Sequence, residues 1–158
     1  MYKIGDKILY PMHGAGIIRQ IEKKEILGEL KEYYIMNIAC GNMEVMIPVE
    51  TCDKIGVRPV VAPEKIDEVV AVMKEESSAA IGNWNKRYRD NTEKIKTGDI
   101  IKVAEIFRNL LRADENGKIS AGEKKMLNNI RKILLSEIML SLNISEDEAR
   151  DIVEYAVK

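Results

Sequence analysis

The sequence predicts an α+β chain in two parts: a small antiparallel β-barrel, then an all-α bundle of about five helices. Three features predict it. Apolar residues alternate with a period of two through the first part of the chain; the period changes to about 3.6 beyond residues 57–64; and two S-x-x-E capping boxes follow. The boundary is placed so that residues 1–62 form one domain and 63–158 the other.

In the first part, "DKILY" (6–10), "GIIRQIE" (16–22), "EYYIMNIA" (32–39) and "MEVMIP" (43–48) are rich in Ile, Tyr and Val. The turn signals "PMHGAG", "ILGELK" and "CGN" separate them. Short strands with tight connections suggest a barrel of about five strands, closed so that few edges are exposed.

In the second part, Pro63 suits a first helical turn, and Ile66, Val69, Val70 and Met73 then share a face. "SSAAIG" interrupts the pattern. Asn83 can cap a helix that ends near Gly98. From Asp99, the residues Ile100, Val103, Ala104, Phe107, Leu110 and Leu111 fall on one side of the next helix. Ser120 and Glu123 form a capping box before a long helix with Leu127, Ile130, Leu134 and Ile138 inward; Ser145 and Glu148 repeat the box for the last helix.

Composition sets bounds on function. The 158 residues are 46% hydrophobic and 32% charged, which fits a folded, soluble protein. The 25 basic and 26 acidic residues nearly cancel, so any contact with a polyanion must come from a local patch. The start "MYKIGDKILYP" lacks the apolar core of a signal peptide, and no apolar run approaches the ~20 residues of a membrane span. Cys40 and Cys52 are too few for a disulfide framework or a zinc site. A cytoplasmic protein with reduced thiols is expected, without metal or cofactor.

Two constellations suggest chemistry and fail on their details. "RADENGKISAGE" (112–123) nearly fits a calcium-binding loop, but Arg112 stands where the first acidic ligand belongs. His13 in "YPMHGAG" could serve a Cys-His pair with Cys40 or Cys52, yet nothing in the sequence brings them together. No catalytic residues are assigned, and no enzyme is expected.

"NWNKRYRDN" (83–91) is more informative. It sets the sole Trp of the chain among cations, with Trp84, Arg87 and Tyr88 on one helical face. Residues 83–102 hold six Lys/Arg against three acids, and 118–132 hold five against Glu123 alone. Residues 143–158 hold five acids against two bases. Segregated charge favours one polyanion-binding face, where an aromatic stacks on or wedges between bases while cations hold phosphates. The alternative is that Trp84 and Tyr88 are core residues ringed by solvated charges.

Essentially the whole chain resembles the CarD/CdnL family of bacterial transcription regulators. "GDKILYPMHGAGII", "KEYYIM" and "VMIPVE" are similar to the family's RNA-polymerase-interacting domain, a Tudor/SH3-like barrel shared with the transcription-repair coupling factor. "NWNKRYRDNTEKIKTGDIIKVAEIFRNLL" and "ISAGEKKML" resemble its helical DNA-binding domain, with Trp, RY, N, K-x-G-D and S-A-G-E-K in the family's order and spacing.

The resemblance implies a job. The barrel would bind the RNA polymerase β subunit, and the helical domain would lie on promoter DNA at the upstream edge of the transcription bubble. Trp84 would enter the minor groove and impede bubble collapse. Lys86, Arg87 and Arg89, with Lys124 and Lys125 of the second basic segment, would touch the DNA. Lys24, Met46, Ile47 and Pro48 would face polymerase; Met46 departs from the family, which often has a basic residue there. Membranes and small-molecule substrates have no part in this reading. The remaining alternatives are a polymerase-binding adaptor without DNA contact and a calcium module at 112–123.

Overall fold

A computed structural model describes residues 1–78 and 83–158, with Trp84 described by its backbone alone. The expected interruption "SSAAIG" extends into 79–82, outside the described residues.

The first part contains β1 (Lys7–Tyr10), β2 (Gly14–Ile26), β3 (Glu29–Ile38), β4 (Glu44–Pro48), α1 (Cys52–Ile55) and β5 (Arg58–Pro59). They form one antiparallel sheet in the order β4-β3-β2-β1-β5. The expected closure is corrected: the sheet is open, with β4 and β5 as its edges. β5 is only two residues long and pairs with β1, so it offers no ladder that could reach round to β4. α1 fills the space between these edges in the chain and sends Cys52 and Ile55 into the sheet core.

β2 and β3 are longer than the apolar pattern predicts. They continue in register to Ile26↔Glu29, closed by Leu27 and Gly28 with φ of 53° and 79°. Positive φ at both central residues is the mark of a type I′ hairpin turn, whose twist matches that of the strands. The added residues are mostly charged, so backbone pairing rather than alternation defines them. At Gly16 the strands pass so closely that a Cβ would lie 2.1 Å from the Asn37 carbonyl oxygen, which excludes any side chain.

Strand alternation divides the apolar residues between two cores. Ile8, Ile18, Tyr34, Met36 and Ile47 pack on one side of the sheet. Leu9 and Ala15 point the other way and join a cluster that includes Phe107, Leu127 and Leu134. Sheet and helices are therefore joined by a shared apolar core.

Among the described residues the second part holds five helices, as expected: α2 (Pro63–Lys74), α3 (Trp84–Lys96), α4 (Ile100–Glu115), α5 (Ala121–Leu142) and α6 (Glu146–Val157). Both capping boxes form, at Ser120 with Glu123 and at Ser145 with Glu148. The C-terminal carbonyls of α2 are satisfied from α4. Arg108 Nη1 donates to the Val72 carbonyl at 2.8 Å, and Arg112 donates to those of Met73 and Glu75 at 2.9 and 2.7 Å. Two cations one helical turn apart thus neutralise the negative end of a neighbouring helix. No helix among the described residues is long and apolar enough to cross a membrane.

Candidate nucleic-acid interface

α3 begins where Asn83 accepts a hydrogen bond from the Lys86 backbone N–H at 3.0 Å. This cap places Trp84 at the first helical position; the Trp84 side chain lies outside the described residues. The helix has no acid in its first turn, and among its described side chains only Ile95 is buried. A helix so thinly packed gains little from its apolar side, so its ends must be held by other means.

One end is held by α5. The guanidinium of Arg87 donates to Glu123, from Nε at 3.4 Å and Nη2 at 3.2 Å. Glu123 is 1% exposed and also accepts from the Ser120 N–H, completing the capping box. The ring of Tyr88 lies against Gly122, where a Cβ would stand 3.7 Å from it. The two basic segments of the sequence therefore meet, the first turns of α3 and α5 lying side by side.

The candidate cations differ in their surroundings. Lys86, Arg89 and Lys125 are exposed. Lys124 pairs with Asp114, while Arg87 is half-buried against Glu123. Asp114 and Glu123 are the acids that made 112–123 look like a cation loop, and both are committed to basic partners. Arg112 turns away to α2 and to the Val157 carbonyl. No cluster of three or more potential metal ligands occurs among the described residues. His13 stacks near Tyr10, with ring centroids 4.2 Å apart, and burial lowers its pKa. Cys40 donates to Glu146 and belongs to the core shared with the helices, whereas Cys52 sits in the sheet core, so the two candidate thiols lie in different surroundings.

The sheet presents a second surface. Lys24, Met46 and Pro48 share one face: the Lys24 ammonium lies 3.7 Å from the Met46 sulfur and from the Glu22 carboxylate. Ile47 points oppositely, fully buried in the sheet core, because neighbouring residues of a strand face opposite sides. It supports this surface from beneath. Sequence reasoning missed the tip of the β2–β3 hairpin. There Leu27 is 99% exposed, beside Ile26 and Leu30, also exposed. Three apolar residues in and beside a two-residue turn with Gly second were the available signal.

The chain is thus a sheet with an exposed apolar hairpin tip, packed on a helical bundle whose α3 and α5 begin among cations. Two family models divide the chain in the same sense: "CarD-like/TRCF RID domain" matches residues 2–61, and "CarD, C-terminal domain" matches residues 68–154. A relative from Bacillus subtilis (strain 168), described as "Putative transcription factor YdeB", is 40% identical over 150 residues, covering 95% of this chain and 98% of its own. The chain belongs to the CarD family of transcription factors, and its sheet half is the family's RNA-polymerase-interacting domain.

Proposed function

We propose that the protein stabilises the open promoter complex, with residues 1–62 bound to the RNA polymerase β subunit and residues 63–158 on promoter DNA. The carrying observation is the contact of α3 with α5 through Arg87 and Glu123, which sets the helix start bearing Trp84, Lys86 and Arg89 beside the helix start bearing Lys124 and Lys125. Cations so placed hold phosphates without reading sequence, and an aromatic at the helix start acts on the deformable minor groove. On the sheet side, Lys24, Met46 and Pro48 with the apolar tip Ile26, Leu27 and Leu30 form the polymerase-facing surface. The edge strand β4 can extend a partner's sheet.

Trp84→Ala tests the wedge. Losing an aromatic stacked on a base costs roughly 1–3 kcal/mol, a change of about five- to 150-fold in open-complex lifetime. A core aromatic truncated to Ala would instead cost about 3–5 kcal/mol of folding stability. A short-lived bubble with near-normal unfolding and intact polymerase binding supports the wedge. A bubble as long-lived as the parent's, or melting many degrees lower, refutes it and favours the adaptor without DNA contact.

A further inference from the structure

The far end of α3 is fastened to the sheet. Arg58 of β5 donates to the carbonyl of Gly98, just past the end of α3, from Nε at 3.0 Å and Nη2 at 2.7 Å. The same guanidinium forks onto Glu137 of α5, at 2.6 Å from Nη1 and 2.9 Å from Nη2. Glu137, 1% exposed, also accepts from the Val61 N–H at 3.0 Å, at the crossing between the two parts of the chain. Gly98 has φ of +73°, and a Cβ there would stand 3.2 Å from Pro11 of the β1–β2 turn. One arginine thus ties the sheet's edge, the long helix α5 and the end of α3 to one point.

We propose that Arg58 and Glu137 are positioning residues that fix α3 relative to the polymerase-bound sheet; the inference rests on the function proposed above. A helix with one buried described side chain is not aimed by packing; it is aimed by its two ends. α3 has 13 residues and spans roughly 20 Å. A tilt of roughly 10° about its Gly98 end would carry its Trp84 end roughly 3.5 Å, about the separation of stacked bases, at a rise of 1.5 Å per helical residue. A bidentate guanidinium–carboxylate pair resists such rotation where a single ammonium contact does not. A flexible tether would supply effective concentration alone; the clamp adds register.

The test uses Arg58→Lys in the full-length protein, which keeps the charge and removes the fork. Spin labels at Glu44→Cys on β4 and Glu93→Cys on α3, both exposed, report the sheet-to-helix distance. Cys40 and Cys52 stay in place, since both are buried with thiol pKa values raised by that burial and so label poorly. The expected result is a broadened distance distribution, with polymerase binding and binding to free duplex as in the parent. Open-complex lifetime should fall at least halfway, on a logarithmic scale, toward that of Trp84→Ala. An unchanged distribution overturns the inference, and so does an unchanged lifetime where Trp84→Ala shortens it. Should Trp84→Ala leave the lifetime intact, the wedge itself fails; the distance distribution then judges the clamp by itself. If Arg58→Lys does not fold, Glu137→Gln, which keeps the shape and two acceptor or donor atoms, is read by the same two measurements.

Discussion

Arg87→Ala is expected to cost the protein stability before it costs anything at DNA. The side chain of Arg87 is 28% exposed, and that of its partner Glu123 is 1% exposed. Removing the cation leaves a carboxylate in the interior, held by the Ser120 N–H and without the charge that faced it in Arg87. Breaking a buried ion pair from one side costs 3–5 kcal/mol; the partial exposure of Arg87 lets water reach the site, so about 3 kcal/mol is expected. For a chain of this length each kcal/mol lowers the melting temperature by about 2–4 °C, hence a fall of roughly 6–12 °C in calorimetry or circular dichroism. Arg87→Leu with Glu123→Leu removes both charges. It should recover most of the loss, forfeiting about 1 kcal/mol for the broken half of the capping box. If Arg87→Ala melts within a degree of the parent, the pair is not structural, and Arg87 is again a candidate for direct phosphate contact. Weak DNA binding by this variant would otherwise report a displaced α3 rather than a lost contact.

Lys86→Ala and Arg89→Ala, at exposed positions, should leave unfolding unchanged and weaken DNA binding. With about four phosphates neutralised by the parent, log K should fall with log salt at a slope of about −3.6, and each variant should reduce the slope by about 0.9. Leu27→Asp should weaken polymerase binding in a pull-down while changing stability by less than about 0.5 kcal/mol, since the site is fully exposed and Asp tolerates positive φ better than Leu. Burial first, then the hydrogen bond and charge of Glu146, push the Cys40 thiol up to about 11. Folded Cys40 therefore stays protonated while the unfolded thiol ionises. Its contribution is intact below the unfolded value near 9 and is lost as pH rises toward 11. Melting curves across that window should steepen their decline in the parent and flatten in Cys40→Ala.

Periodicity made the helical half legible. Ile66, Val69 and Met73, and then Val103, Phe107 and Leu110, are buried where the 3.6-residue pattern puts them, because each belongs to a helix long enough to show it. α1, four residues long, is about one turn and has no period to read. The open sheet escaped prediction for a related reason: closure depends on pairing between β5 and β4, and the sequence of a two-residue strand says nothing about its neighbours. The candidate site was legible as a list of cations and one aromatic. Its internal pairing was not, since Arg87 and Glu123 stand 36 positions apart and only tertiary contact shows that one serves the other. The same holds for Ile47, whose burial follows from a strand register that is set across three strands.

These pairings bear on how a nearly neutral protein could act at DNA. Of the candidate cations gathered at the α3–α5 contact, Arg87 has Glu123 beside it and Lys124 has Asp114. An anion in direct contact lowers the potential that a phosphate meets, and it must be left behind, or shared, when the cation turns to DNA. The patch is thereby weaker than its count of Lys and Arg suggests, and weak binding to free duplex is the expected result. A surface of that kind depends on delivery. On the proposed function, docking of the sheet would present the patch to DNA at an effective concentration set by the geometry of the complex rather than by diffusion. Because the two halves share a core through Leu9 and Ala15, that geometry is inherited from the docked sheet rather than searched for by a loose tether. On the proposed function, weak intrinsic affinity and rigid presentation would serve one end: contact with DNA where polymerase has already opened it, and little elsewhere.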